Sequence, residues 1–219
     1  VNVALLLGLT VLPTAFWLWL FVRRDAHPEP PRLLLRTFAY GGLAWGLAVA
    51  LELSVLGVRS AAAALVLAAA IEEGVKLLAA STAAREREFD EPMDGLIYAV
   101  TAALGFSLLE NLAYGWQFGA GVAAWRGLTT TLAHALFSAP LGYGLARAHF
   151  GGGRWWRTRG LLASIALHVT FNGVLSGEGW WQLPVLALTI VAMYAFADRL
   201  YSRWRARQER GLDHVTHRR

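Results

Sequence analysis

A small set of polar side chains stands where an apolar chain has least use for them: Glu72, Glu73, Lys76, Glu110, His134, His168 and Asn172. Their types are those that move protons or hold a metal ion. Their spacing is helical. His168 and Asn172 are i, i+4 and share a helix face. Glu72 and Lys76 are also i, i+4, with the glutamate on the N-terminal side, the favourable order for a pair. Glu73 lies about 100° around the helix from Glu72, so one carboxylate is expected to face a site while Lys76 holds the other. Phe106 precedes Glu110 by one turn and is placed to pack beside it.

Every one of these groups falls inside a segment apolar enough for a bilayer. A charge at the bilayer centre costs about 2.5–3.5 kcal/mol on insertion scales. Counted from the expected cytoplasmic ends at a rise of about 1.5 Å per residue, Glu72 and Glu73 lie about 18–20 Å deep, Glu110 about 22–25 Å and His134 about 20 Å; His168 and Asn172 lie about 12 and 18 Å deep. Four helices thus aim polar groups at one layer. A lone membrane histidine or asparagine serves as well as a helix–helix hydrogen bond, and Glu72/Lys76 alone reads as a structural bridge. The convergence is what a structural reading does not explain. Glu52, near the outer end of its span, reads as structural or interfacial. Arg126, near the interface and able to snorkel, is given no role.

The elements that must position these groups are membrane helices. The chain has 219 residues, 56% hydrophobic and 16% charged, with mean hydropathy +0.43. That composition excludes an ordinary soluble domain, and apolar runs near the roughly 20 residues a span needs recur along it. The expected fold is all-α, a polytopic transmembrane bundle of about seven spans: Val1–Val22, Thr37–Leu56, Ser60–Ala84, Met93–Tyr114, Arg126–His149, a short Gly160–Leu175, and Trp181–Tyr201. The first has no basic segment before it and Arg23-Arg24 directly after it, so it reads as a retained helix and not a cleaved signal. Residues 1–202 form one membrane domain and 203–219 a basic, disordered cytoplasmic tail. The net charge of +5 is no nucleic-acid footprint, because the arginines cluster in short connections. With the N-terminus outside, Arg23, Arg24, Arg32, Arg36, Arg85, Arg87, Arg147, Arg154, Arg157, Arg159 and the tail fall inside, and Arg59 and Arg126 outside. Trp116, Trp125, Trp180 and Trp181 fall at the outer interface, and Trp155, Trp156 and Trp204 at the inner one. The absence of cysteine removes disulfides, thiolate metal sites and a cysteine nucleophile.

The same residues fall into motifs: Glu72-Glu73-Gly74-Val75-Lys76 (EExxK), Phe106-Ser107-Leu108-Leu109-Glu110-Asn111 (FxxxEN), His134 opening HALFSAPLGYGLA, and His168-Val169-Thr170-Phe171-Asn172 (HxxxN). In this order, over Ala68–Gly173 within a motif core of 68–175, the chain resembles the PrsW family of bacterial membrane proteases. That family is similar in turn to the CAAX prenyl endopeptidases and their bacterial relatives, which carry histidine where this chain has Glu110. The resemblance implies peptide-bond hydrolysis in or near the bacterial cytoplasmic membrane. It implies a substrate that is a single-span regulatory protein, such as an anti-sigma factor, cut on the outer side. It makes Glu72, Glu73, Glu110, His134, His168 and Asn172 the catalytic set, supported by Lys76, Phe106 and Asn111.

Two mechanisms stay open on these residues. Without a metal, a glutamate of the Glu72/Glu73 pair activates water, Glu110 or His134 helps position it, and His168 with Asn172 stabilises the oxyanion. With zinc, Glu110, His134 and His168 are the ligands and leave a position open for water, while the glutamate pair supplies the base. The ligand types suit zinc but lack HExxH spacing. The glycines past Asn172, Gly173 and Gly177, and the short sixth span leave room for a wet funnel. The competing classes are a proton- or ion-coupled transporter, which uses similar groups but commonly shows repeat symmetry absent here, and a non-catalytic scaffold binding a partner helix.

Overall fold

Short polar signals start the helices. The Asn2 and Ser60 side chains accept hydrogen bonds from the N–H groups of Leu5 and Ala63, capping α1 (Val3–Val22) and α3 (Ala61–Ser81). Pro31 and Pro92 occupy the first turns of α2 (Pro31–Ser54) and α4 (Pro92–Phe118), where a missing N–H costs nothing. Then come α5 (Ala120–Arg147), α6 (Trp155–Leu175) and α7 (Gln182–Gln208). This computed structural model describes residues 2–208 except 26, 55, 56, 59 and 178–181. The expectations for Val1, Leu56, Arg59, Trp180, Trp181 and residues 209–219 lie outside the described residues, as does the Trp204 side chain.

Several boundaries differ from the sequence expectation. α2 begins at Pro31 and not Thr37, because Arg32 and Arg36 ride on its first turns, paired with Glu88 and Glu86. The expected loop before Arg126 is absent: α4 and α5 meet at Gly119, whose φ of +96° suits glycine. The sixth helix is not short; its 21 residues begin at Trp155, where Arg154 and Arg159 lie over Trp155 and Trp156. α7 runs on through Arg203 to Gln208, so the start of the expected tail is helical.

Four helices are long and apolar enough by themselves to cross a membrane: α1, α2, α4 and the Leu183–Leu200 part of α7. α1, α2 and α7 turn leucines such as Leu12, Leu43 and Leu188 outward, the surface expected against lipid. α3 fails the same test because it carries Glu72, Glu73 and Lys76. It lies beside α2, α4, α5 and α6, and from Ala69 onward it is largely buried. α4 is the central post, in contact with α1, α2, α3, α5 and α7.

Close backbone approach sets the crossings. A Cβ on Gly41 or Gly105 would lie 2.0 Å from a carbonyl oxygen of the facing helix, that of Ala102 or Phe38. α2 and α4 therefore touch backbone to backbone, the small-residue packing of membrane bundles. Gly95 of α4 and Gly142 of α5 face each other in the same way. On the face away from the site, Tyr98 donates to Glu29, whose carboxyl burial pushes up from its ordinary value. Glu91 and Asp94 close a capping box at the start of α4.

Replacing Gly105 with valine should cost about 3 kcal/mol, the upper end of overpacking, because a backbone carbonyl cannot swing aside. Gly46→Ala, where nothing lies within 4 Å, should be neutral or stabilising by up to about 1 kcal/mol. Unfolding in detergent titrations checks both, and equal stability of Gly105→Val and the parent chain would contradict the crossing.

Candidate active site

The site is built on a lysine. Lys76 is fully buried and its ammonium has three N–H donors. They meet Glu73 Oε1 at 2.8 Å, Glu72 Oε2 at 3.3 Å and His134 Nδ1 at 2.9 Å. The Phe106 ring lies 4.1 Å from the same nitrogen. The expected division of labour, with only one glutamate held by Lys76, does not occur. Lys76 stands at i+3 from one and i+4 from the other, and both positions neighbour it on a helix.

The two glutamates nevertheless differ. Glu73 is wholly buried, with Oε1 2.9 Å from His168 Nδ1 and Oε2 accepting from Ser138 at 3.4 Å. Glu72 lines a cavity of about 570 Å3 that Glu73 does not reach. The wall also includes Glu52, Glu110, Arg126, His134, His168 and Asn172. Its lining comes from the C-terminal halves of α2, α4 and α6 and the N-terminal halves of α3 and α5, so it belongs to one end of the bundle.

Proton positions follow from the partners. An ammonium only donates, so His134 Nδ1 accepts from Lys76, and Nε2 carries the proton that it donates to Glu110 Oε2 at 2.9 Å. His168 donates from Nδ1 to Glu73, which leaves the Nε2 lone pair 3.9 Å from Glu72 Oε2. That gap exceeds a hydrogen bond. Phe137 stacks on the His168 ring at 4.5 Å and fixes its plane.

Arg126 is the residue that sequence reasoning missed. Its Nη2 lies 2.6 Å from Glu110 Oε2, its Nε donates to Asn111 Oδ1 at 2.9 Å, and its guanidinium lies over the Tyr114 ring. Asn111 is saturated: its amide donates to Ser107 and Thr131, and its oxygen also accepts from Thr130. Because α5 starts at Ala120, Arg126 sits inside the helix and not at its edge. Arg126, Thr130, His134 and Ser138 recur every fourth residue, a signal that was present in the sequence.

The expected zinc ligands do not converge as a set. At the cavity, the donor atoms within 4.8 Å of one another belong to Glu72, Glu110 and His134; a second such group, Asp25, Glu29 and Asp94, lies at the other end of the bundle. His168 stands outside the first group because Glu73 and Phe137 turn its ring. Two carboxylates and an imidazole beside a cavity with room for water fit zinc. His134 Nε2 offers a lone pair only after losing its proton, so metal loading there would release a proton.

These features define a helical bundle with apolar outer faces around a buried Glu/His/Lys site. The chain belongs to the PrsW family of intramembrane metalloproteases, whose family model matches residues 29–197. It is similar to "Protease PrsW" of Clostridioides difficile, 32% identical over 59% of this chain and 58% of that protein. It is also similar to the proteins of that name in Geobacillus kaustophilus, 30% over 74% of this chain and 76% of that one, and Bacillus subtilis, 30% over 47% and 48%. The match to the first of these thus spans little more than half its length. No solved structure matches the chain.

Removing the lysine should expose its role in holding the site together. Lys76→Met leaves carboxylates buried without their cation, and should lower stability by about 3–5 kcal/mol. Adding Glu73→Gln should restore part of the loss. A Lys76→Met chain as stable as the parent would refute the arrangement. The absence of cysteine allows a second check. Ser176→Cys, at the cavity wall, should react with a membrane-impermeant maleimide in proteoliposomes, and the buried Ala102→Cys should not.

Proposed function

We propose that the chain is an endopeptidase that hydrolyses a peptide bond in a membrane-anchored substrate, with the chemistry at the floor of the cavity between α3, α4, α5 and α6. The observation that carries this reading is the Glu73–His168 pair. A buried carboxylate holds Nδ1–H and leaves Nε2 as a base directed toward Glu72 and the cavity. This is the orienting logic of a carboxylate–histidine couple.

In this reading Glu72, Glu110 and His134 hold a divalent metal, zinc by donor type. When bound, the ion would lower the pKa of water and polarise the scissile carbonyl. His168 Nε2 accepts the water proton as oxygen bonds to the carbonyl carbon. Asn172, one turn on from His168 and on the cavity wall, donates from its amide to the oxyanion. His168 then returns the proton to the departing amine as the C–N bond breaks. Arg126 and Asn111 position Glu110, and Lys76 positions Glu72, Glu73 and His134.

A second reading has its own support. Lys76 donates to His134 Nδ1 and so places a proton on the nitrogen a metal would need. In that metal-free version Glu72, the cavity-facing glutamate, takes the proton from water, and His168 and Asn172 stabilise the oxyanion. Both versions favour Glu72 over Glu73 as the group beside the water. The proposed substrates are single-span regulatory proteins of the anti-sigma-factor kind, the class that the resemblance to the family implies. The arginine-rich ends of α1 and α6 support a cavity opening away from the cytoplasm, and seven spans with the N-terminus outside.

The test is cleavage of a panel of single-span substrates by the purified chain in liposomes, with zinc content read in parallel. Glu72→Gln and His168→Ala should each lower turnover at least about 100-fold while remaining folded. Undiminished cleavage by either folded variant overturns the site. In the metal version the wild type holds about one zinc per chain and Glu110→Gln loses it, whereas full activity after exhaustive chelation supports the glutamate version.

A further inference from the structure

We propose that Glu52 is a substrate-recognising residue, whose carboxylate at the mouth of the cavity takes a lysine or arginine side chain from the flank of the membrane-anchored substrate. The proposal rests on the endopeptidase reading and adds to it the substrate feature that is read.

Among the charged side chains lining the cavity, Glu72 has Lys76, Glu110 has Arg126 and His134, and Arg126 has Glu110 and Asn111. Glu52, half-buried on α2, shares the cavity wall with them and has no hydrogen bond or ion pair to any described residue. Trp45, Ala48 and Val49 of its own helix and Leu65 and Ala68 of α3 line the same cavity, and none of them can neutralise a carboxylate.

The sign of the missing partner follows from the charge balance. Glu52, Glu72, Glu73 and Glu110 outnumber Lys76 and Arg126. An excess of negative charge in a low-dielectric setting draws in a cation. A metal ion does not fill this role at Glu52, because its oxygens are not part of the group in which Glu72, Glu110 and His134 converge. A single carboxylate on a mobile stem, on an apolar wall near the cavity opening, suits the ammonium or guanidinium at the tip of a long apolar side chain. Glu52 lies on the last turn of α2, the level at which an anchored substrate leaves the bilayer. On the face away from the arginine-rich connections, flanking segments are poor in Lys and Arg. One basic residue there therefore distinguishes a substrate from most other membrane proteins.

The probes are fluorescent peptides with an apolar Leu/Ala segment of about 20 residues and a Gly/Ser flank. The flank carries one Lys, Gln or Glu at each position in turn. Affinity for the full chain in nanodiscs is measured by anisotropy, and cleavage is measured separately. At the best position the Lys peptide should bind wild type about tenfold tighter than its Gln counterpart. The preference should fall below about twofold in Glu52→Gln and turn toward the Glu peptide in Glu52→Lys, a gain that only a folded variant can show. Equal binding of Lys and Gln peptides at every position, or a preference that survives Glu52→Gln, overturns the proposal. Lys-selective binding without cleavage of any peptide refutes the endopeptidase reading and leaves the subsite standing; cleavage without Lys selectivity does the reverse.

Discussion

A lysine buried completely in a membrane protein is tolerable only if every one of its protons has an acceptor, and the structure around Lys76 is organised by that requirement. Its partners come from its own helix, Glu72 and Glu73, and from α5, His134. Each partner then fixes another. Glu73 sets the tautomer of His168, and His134 sets the proton directed at Glu110, which Arg126 completes. The network crosses α3, α4, α5 and α6 and gives each carboxylate at its floor at least one polar partner. Such a network favours one arrangement of helices, since a displaced helix would strand a charge where water cannot reach it.

The helices can meet this demand because their backbones come unusually close. Gly41 and Gly105 let α2 lie against α4, and Gly95 and Gly142 let α4 lie against α5. In lipid there is little hydrophobic gain from bringing helices together, so close packing and hydrogen bonds must supply the association. Small residues make crossings along the bundle, Gly127 against the Leu9 carbonyl of α1 included, and the polar network occupies the layer beneath the cavity. α4 carries both, with Gly95 and Gly105 in its first half and Glu110 and Asn111 in its second.

Much of this was legible in the sequence because polar residues are costly in apolar segments. Glu72, Glu73, Lys76, Glu110, His134 and His168 identified themselves by position alone, and i, i+4 spacing placed His168 and Asn172 on one face. What was not legible depended on helix ends and on side-chain reach. Arg126 looked interfacial because α5 was expected to start there; the junction at Gly119 moves the helix start to Ala120 and carries Arg126 inward. The zinc set was assigned by residue type, but whether His168 or Glu72 joins Glu110 and His134 depends on how the His168 ring is turned. Glu73 and Phe137 decide that, and neither relation can be read from spacing. Of the seven α-helices among the described residues, four are apolar enough alone to cross a membrane, and α3, α5 and α6 spend sequence on the site.

The contrast between the floor and the mouth of the cavity bears on what the site is for. At the floor, saturated contacts hold Glu73, Lys76, His134 and Asn111 in single positions, which is the preorganisation that proton transfer needs. At the mouth, Glu52 faces the cavity from the last turn of α2. A purely structural polar network would gain nothing from leaving a carboxylate without a partner among the described residues beside Glu72 and Glu110. An arrangement that is closed at its base and open at its rim instead fits a chemistry in which the missing partner arrives with the substrate.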